Sequence, residues 1–459
     1  MNYKLKIAGI HYDVLKEHLF PGDNLEAVAI AICGRCESEI GVTFLVHEIF
    51  PISYERCFVR TISKVTWSTE GLQGILQKAS SKKLSILKIH SHTSEYRQFS
   101  KTDDIADKEL FDSIGGWMDD DYSHVSAVML PGGEIFGRAV TADLNFIKLE
   151  IISVTGNDIL LWGNNERHGG EDFSLRTRQA FGEGTVNKLK NMTAAVVGCS
   201  GTGSPVIEQL TRLGIGKIIM VDPDTIEKKN LNRIYNSTMN DALQGNRKVD
   251  VLKQAIDDIG LGTKVVALAN NLYDSVEILK QVANADIIFG CVDSIDGRHL
   301  LNQLASFYLI PYFDIGIKLI SDGSGGISQI MGTVHYLQPG GSTLLSRGVY
   351  NSEDLRAAAM FRTDIDHYDE QQKMGYITDV RVESPAVISI NTQLASMAVN
   401  EFLARIHRYR YDSNDQFAIT RVSFTDAYVQ YEKDEYSDHY LKKFVGRGDM
   451  LPFLNMPEF

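Results

Sequence analysis

At 459 residues the chain is too long for one ordinary domain and suits two or three, and 44% hydrophobic with 23% charged residues describes a globular protein rather than a disordered one. The formal net charge of −13 comes without any block of lysine and arginine, so no nucleic-acid surface is expected. No run of about 18 apolar residues offers a membrane span, and residues 1–7 lack an apolar signal core, which makes the cytoplasm the expected location.

In chain order, residues 25–32 and 42–50 are predicted strands, 72–79 a helix, and 84–89 a strand running into His90-Ser91-His92. A further strand, 125–130, ends in the turn Pro131-Gly132-Gly133. The expected first unit, 1–163, is an α/β sandwich with an antiparallel or mixed sheet. Cys33 and Cys36 form a single Cys-x-x-Cys, expected to be a strand end and a turn. With Cys57, Cys199 and Cys291 they suggest no disulfide framework.

Two histidines at i and i+2 at a strand end point the same way, so both imidazoles of His90 and His92 can reach one ion. Ser100 and Asp103, three apart, are expected to share a face of a following helix. Two nitrogens and one carboxylate oxygen leave zinc an open position for water, whose pKa the metal lowers to roughly 7. The spacing H-x-H-x7-S-x2-D resembles the JAMM/MPN metalloprotease motif at every position, and the likeness covers about residues 25–162. It implies an MPN-type sandwich with Zn2+ held by His90, His92 and Asp103. Glu26, which precedes an apolar strand closed by glycine, is then the general acid/base; Glu37, Glu39 and Glu48 are the alternatives. Ser100 would donate a hydrogen bond to the oxyanion, in cleavage after the terminal glycine of a ubiquitin-like protein.

The polar, glycine-containing stretch 164–172 reads as a linker. After it, the apolar run Ala194-Ala195-Val196-Val197 passes through Gly198-Cys199-Ser200-Gly201-Thr202-Gly203 into the helical pattern Val206, Leu210, Leu213. The chain returns on the strand Ile218-Ile219-Met220-Val221, which ends at Asp222. This is a βαβ unit with a turn able to cradle phosphate, and Asp222 stands where a ribose-binding acid stands. Alone the turn fits NAD, ATP or tight packing. The ordered series that follows, Asn230, Arg233, Lys248, Asp293 and Arg298, suits nucleotidyl transfer, which needs cations on phosphates and an acid for magnesium.

These residues resemble the ThiF/MoeB/HesA family and, through it, the ubiquitin-activating enzymes, over about residues 173–410. The resemblance implies a Rossmann-like adenylation domain, placed at 173–459, with a mostly parallel central sheet. ATP would lie against Gly198, Ser200, Gly201 and Gly203, with its ribose on Asp222. Asn230, Arg233 and Lys248 would hold the phosphates and Asp293 a Mg2+ ion. Arg178, in Arg178-Gln179, would cross a dimer interface into the partner's ATP site, implying a homodimer. Two departures are visible: Ser200 stands for a usual glycine and Ile234 for a usual glutamine.

Further on, no cysteine follows Cys291, so neither a structural zinc in this domain nor a thioester to the carrier is expected; Cys199 and Cys291 read as packing residues. A hydroxyl of Ser342 or Ser346 is the candidate acceptor for an oxyester. Residues 353–374 are helical and charged, consistent with a segment crossing over the carrier's tail. A helix opening at 384 carries an apolar stripe through Leu394, Met397, Ala398, Phe402 and Ile406 that reads as core or dimer packing, and the tail 417–459 has two strand-like runs and no assigned chemistry.

Together the expectation is a bifunctional enzyme that adenylates the terminal glycine of a ubiquitin-like protein and processes or removes that protein with zinc. A conjugating enzyme is a further partner the resemblance allows. The alternative is a sulfur-carrier adenylyltransferase and peptidase of thiocarboxylate metabolism. A third reading, a scaffold that binds the tail without turnover, lacks a use for two complete constellations.

Overall fold

The computed structural model describes residues 1–39, 41–163, 172–322, 324, 326–374, 377 and 387–456. The expected linker therefore lies outside the described residues except for Asp172, as do residues 384–386, where the last long helix was expected to open. Two compact units emerge. The first is Met1–Glu166 with Ser306–Leu309 and Lys443–Phe459; the second is Arg167–Ala305 with Ile310–Lys442. The sequence reading placed everything from 173 to 459 in one domain, whereas Lys443–Phe459 belong to the same compact unit as Met1–Glu166.

The first unit runs β1 (Asn2–Ala8), α1 (Gly9–Leu19), β2 (Val28–Ser38), β3 (Gly41–Pro51), β4 (Cys57–Arg60), β5 (Val65–Trp67), α2 (Leu72–Ser81) and β6 (Ser85–Ser91). It continues through α3 (Lys101–Met118), β7 (His124–Met129), β8 (Ile135–Val140), β9 (Phe146–Lys148), β10 (Ile151–Thr155) and β11 (Ile159–Gly163). Among the described residues one sheet has the order β11-β10-β1-β3-β2-β6-β7-β8-β9, and β4 and β5 form a separate hairpin. The large sheet is mixed: β1 pairs in parallel with β10 and β3, β6 with β7, and the other neighbours are antiparallel.

Strand β2 shows why the sheet is covered on both faces. Its side chains alternate, and Ala29, Ala31 and Cys33 join Leu15 and Leu19 of α1 in one core. Val28, Ile30 and Ile32 join Leu76 of α2 with Phe111 and Ile114 of α3 in the other. Near-continuous apolar sequence is what a strand buried on both faces requires. The tail adds to this unit: Asp449 N–H donates to Arg35 O at 2.8 Å, and its carboxylate accepts from Glu37 N–H at 2.9 Å and from the Tyr308 hydroxyl at 2.7 Å.

The second unit holds α4 (Leu175–Asn191), β12 (Thr193–Val197), α5 (Gly203–Arg212), β13 (Lys217–Val221), α6 (Met239–Gln244), α7 (Lys248–Ile259), β14 (Lys264–Leu268), α8 (Val276–Ala283) and β15 (Ile287–Gly290). Then come α9 (Ile295–Tyr308), β16 (Tyr312–Ser321), β17 (Ile327–Leu337), α10 (Ser352–Thr363), α11 (Ile365–Lys373), α12 (Ile388–Ile406), β18 (Ile419–Ser423) and β19 (Tyr428–Glu432). The sheet order is β14-β13-β12-β15-β16-β17-β18-β19, parallel through β16 and antiparallel beyond. The chain reverses its direction of travel across the sheet between β12 and β15. In an open α/β sheet that reversal leaves a crevice at the strands' carboxyl ends. Among the described residues no helix is long and apolar enough to cross a membrane.

Candidate functional site

Two clusters of candidate functional side chains are built, one in each unit. In the first, β6 delivers His90 and the residue just after it, His92, beside the start of α3. His90 Nε2 lies 3.3 Å from Asp103 Oδ1, and His92 Nε2 lies 3.9 Å from Asp103 Oδ2. The three ligand atoms fall within 4.8 Å of one another.

Ser100 does not share a helix face with Asp103, as the spacing suggested. It is the N-cap of α3, and the two form a capping box: Asp103 N–H donates to Ser100 Oγ at 3.1 Å and Ser100 N–H to Asp103 Oδ2 at 2.7 Å. The box fixes the rotamer of Asp103. His92 Nδ1 is 2.9 Å from the carbonyl of Tyr96, which makes Nδ1 the protonated nitrogen and turns Nε2 toward Asp103. His90 is 2% exposed, yet neither of its ring nitrogens has a hydrogen-bond partner among the described residues. A buried imidazole left in that state, facing a carboxylate and a second imidazole, fits a divalent cation of the zinc class.

Electrostatics at this cluster push its two acids apart. Burial, the neighbouring Asp103 charge and, in the opposite sense, Lys88 set the Glu26 carboxyl at about 7. Burial opposes ionisation of Asp103 too, but contact with His90 and the bonds from Ser100 outweigh it and hold that carboxyl below the usual range. A half-protonated carboxyl beside a fixed carboxylate is an acid/base pair suited to proton transfer near neutral pH. Glu26 is fixed through its backbone: its N–H donates to Thr61 O at 2.9 Å and its carbonyl accepts from Arg60 Nε at 3.0 Å.

Sequence reasoning missed the charges behind this cluster. Asp107, one turn after Asp103 and 0% exposed, takes Lys88 Nζ at 2.6 Å and Arg138 Nη2 at 2.6 Å. Arg138 also lies over the rings of Phe99 and Phe146. The signal available was the i, i+4 repeat of aspartate on α3.

In the second unit a cavity of about 500 Å³ opens at the ends of β12, β13 and β15, in the crevice the sheet order creates. Its wall brings together Gly198, Ser200, Gly201, Asp222, Asn230, Arg233, Lys248 and Asp293. Gly198 has φ +88, and a Cβ on Gly203 would overlap the Gly198 carbonyl oxygen, so both glycines are needed to fold the turn onto α5. Gly203 accordingly is buried behind the wall and does not line it.

Asp222 is 5% exposed and accepts from Cys199 N–H at 2.7 Å and Asp224 N–H at 3.0 Å. Lys248, at the start of α7, lies 3.4 Å from Asp222 and 2.7 Å from Asp224. Burial works against its charge, but these two carboxylates outweigh it and hold the ammonium above the usual lysine value. Arg233 Nη1 donates to Lys229 O at 2.9 Å. Asn230 is buried, with Oδ1 accepting from Glu227 N–H at 3.0 Å, and Asp293 is exposed at the rim. Asp224 and Asn391, both on the wall, were not picked out from sequence. The first repeats the acid two residues after Asp222, while the second arrives on α12 with no local signal.

Several expected groups stand apart from the cavity. Arg178 is half-buried on α4 and does not line it. Ser342 is 5% exposed, donates its hydroxyl to Asp434 and accepts from Arg347 Nε at 2.7 Å, while Ser346 Oγ exchanges hydrogen bonds with Thr343. Neither serine lines the cavity, and both hydroxyls tie the loop together. Burial pushes the Cys291 thiol up to about 12 and Cys199 well above the ordinary thiol value, so neither is a ready thiolate.

Comparison with known proteins places this second unit. A model of the ThiF family matches residues 174–437. The ubiquitin-like modifier-activating enzyme 5 of Culex quinquefasciatus is 27% identical over 165 residues, which is 33% of this chain and 38% of that protein. The tRNA threonylcarbamoyladenosine dehydratase of Bacillus subtilis (strain 168) is 39% identical over 93 residues, 20% of this chain and 36% of that one. The matches thus span well under half of these relatives' length. Among solved structures, E. coli MccB with MccA-N7isoASN aligns with a TM-score of 0.46 and 19% identity, covering 59% of this chain and 74% of that one.

Proposed function

The chain belongs to the ThiF family, and from that premise we propose that its second unit adenylates the C-terminal glycine of a ubiquitin-like protein with ATP. The observation that carries the reading is the cavity wall, where a glycine turn, a ribose-sized acid at Asp222, the cations Arg233 and Lys248 and the rim acid Asp293 converge. In the reaction the carrier's carboxylate attacks the α-phosphorus, an acyl–oxygen–phosphorus bond forms, and the bond to pyrophosphate breaks. Arg233 and Lys248 offset the charge that builds on the phosphates, and Asn230 holds their orientation. Asp293 would hold Mg2+, which when bound screens the polyphosphate. Lys248 reaches this position charged, because Asp222 and Asp224 keep it so.

The first unit supports a second activity: a JAMM-type metallopeptidase acting after that same glycine, to mature the carrier or to remove it from targets. The support is the His90, His92, Asp103 cluster with Glu26 beside it. Zinc bound there would supply a coordinated water that ionises near neutral pH. Glu26, poised at about 7, takes and returns protons, and Ser100, whose oxygen already accepts from Asp103, keeps its own proton to donate to an oxyanion. Arg178 is proposed to act across a homodimer interface, and the whole to work in the cytoplasm.

ATP–pyrophosphate exchange by the full chain, with and without a small carrier ending in glycine, tests the adenylation reading. Exchange that depends on the carrier supports it, and its absence under both conditions sinks it. The carrier's mass afterwards separates a lysine-linked adduct from a thiocarboxylate, the mark of the sulfur-carrier alternative.

A further inference from the structure

Arg138 on β8 is a buried charge that no role above uses. It is 7% exposed, and its Nε has no hydrogen-bond partner among the described residues. Burying a guanidinium costs free energy that well-packed apolar side chains in the same place would not incur. Two ion pairs and two aromatic rings hold it there instead, and all four lead to the start of α3.

Arg138 Nη1 pairs with Asp104 and Nη2 with Asp107, the latter at 2.6 Å, so the fork grips two carboxylates one helical turn apart. Asp103 is the residue before the first of them and one turn before the second. Successive helical residues stand about 100° apart around the axis, so a grip on 104 and 107 sets the direction in which Asp103 leaves the helix. The guanidinium carbon lies 3.8 Å from the centre of the Phe99 ring and 3.6 Å from that of Phe146. Phe99 directly precedes Ser100, the N-cap of α3. Two residues back along β8, on the same face, Phe136 packs edge-on against Phe99 and against His92, with ring centres 5.3 and 6.0 Å apart. One face of β8 therefore holds the segment at His92, at Phe99 and in the first two turns of α3, which are the places that present the second imidazole and the carboxylate.

We infer that Arg138 is a positioning residue of the metal cluster: by clamping Asp104 and Asp107 and stacking on Phe99, it fixes the rotation of α3 that aims Asp103 at His90 and His92. This rests on reading the cluster as a cation site and adds a residue about 35 positions further along the chain. Arg138 acts through its shape as well as its charge. A lysine would keep the positive charge that the two aspartates face, but not the rigid two-pronged fork or the flat stack on the ring.

The test is the Zn2+ affinity of the full chain against a competing chelator, with Co2+ as a second probe whose visible absorption reports ligand geometry. Binding is counted as the part that His90→Ala abolishes. Arg138→Lys should weaken Zn2+ about tenfold or more and shift the Co2+ bands. Phe99→Leu, which leaves both ion pairs in place, should weaken Zn2+ in the same direction, and the double variant should lose less than the product of the two single losses. Arg97→Ala, which removes an exposed pair with Glu134 in the same segment, should stay within about twofold of wild type. Wild-type affinity and spectrum in Arg138→Lys, single losses that multiply in the double variant, or an equal loss in Arg97→Ala would overturn the assignment. If Arg138→Lys does not fold, Phe99→Leu decides alone: weaker Zn2+ with shifted Co2+ bands supports the assignment, and wild-type behaviour overturns it. Wild-type protein that binds neither metal would remove the cation-site reading itself, an outcome visible without any variant at Arg138.

Discussion

In the first unit the candidate metal-ligand set comes from one strand, one loop and one helix start, between His90 and Asp103, and its geometry is closed locally by a capping box and a bond to a backbone carbonyl. In the second unit the cavity wall draws on residues from Val197 to Asn391, and its principal cation, Lys248, is held by carboxylates. The first cluster is thus a short-range object that one strand end and one helix cap can hold rigid. The second exists only when a sheet of parallel strands has assembled and α12 has docked. Damage should follow the same division.

The largest effect is expected from His90→Ala. It removes a ligand from a three-donor set and should abolish stoichiometric zinc in metal analysis, while ATP–pyrophosphate exchange stays within about twofold of wild type. Loss of exchange in that variant would mean the two clusters are not separate devices. Lys248→Ala is the reciprocal break: exchange should fall about 10²–10³-fold with zinc content unchanged.

Asp107→Asn asks whether the charges behind the metal cluster hold it. Removing the shared carboxylate leaves Lys88 buried without its counter-charge and Arg138 with Asp104 alone, which should destabilise the first unit by about 3–5 kcal/mol. Thermal unfolding should show one early transition, and a single unshifted transition would contradict it.

The smallest effect is on acid stability. Burial first, and neighbouring positive groups second, hold His11 and His124 neutral with pKa values of about 4. In the unfolded chain both rings take up protons below about 6.5, so between that pH and about 4 the unfolded state binds more protons than the native one. Stability should therefore fall as pH drops through this window, by up to about 3 kcal/mol per ring. Both rings lie in the first unit, and His124→Phe should flatten the slope in urea titrations at stepped pH.

The contrast also explains what the sequence could show. The α/β class, the Rossmann-like second unit and the residues of the glycine turn were legible, because a buried parallel strand and a phosphate turn are written in consecutive residues. Strand β6 and His90-x-His92 were legible for the same reason. Ser100 was misplaced by one position relative to the helix, since spacing alone does not separate an N-cap from a first turn. Gly203 was assigned to ligand contact when its missing side chain serves the packing of α5 on the turn. Ser342 and Ser346 attracted attention as hydroxyls in a loop, and the partners that engage them, Asp434 and Arg347 among them, could not be seen from local sequence. The same limit hid the return of Lys443–Phe459 to the first unit and the arrival of Asn391 at the cavity.

The central claim is that one chain carries two separable active centres that serve the same glycine tail. The most direct measurement is carrier-dependent ATP–pyrophosphate exchange by wild type, His90→Ala and Lys248→Ala, assayed side by side. The account predicts exchange in the first two and its loss in the third; exchange independent of the carrier, or lost equally in both variants, would contradict it.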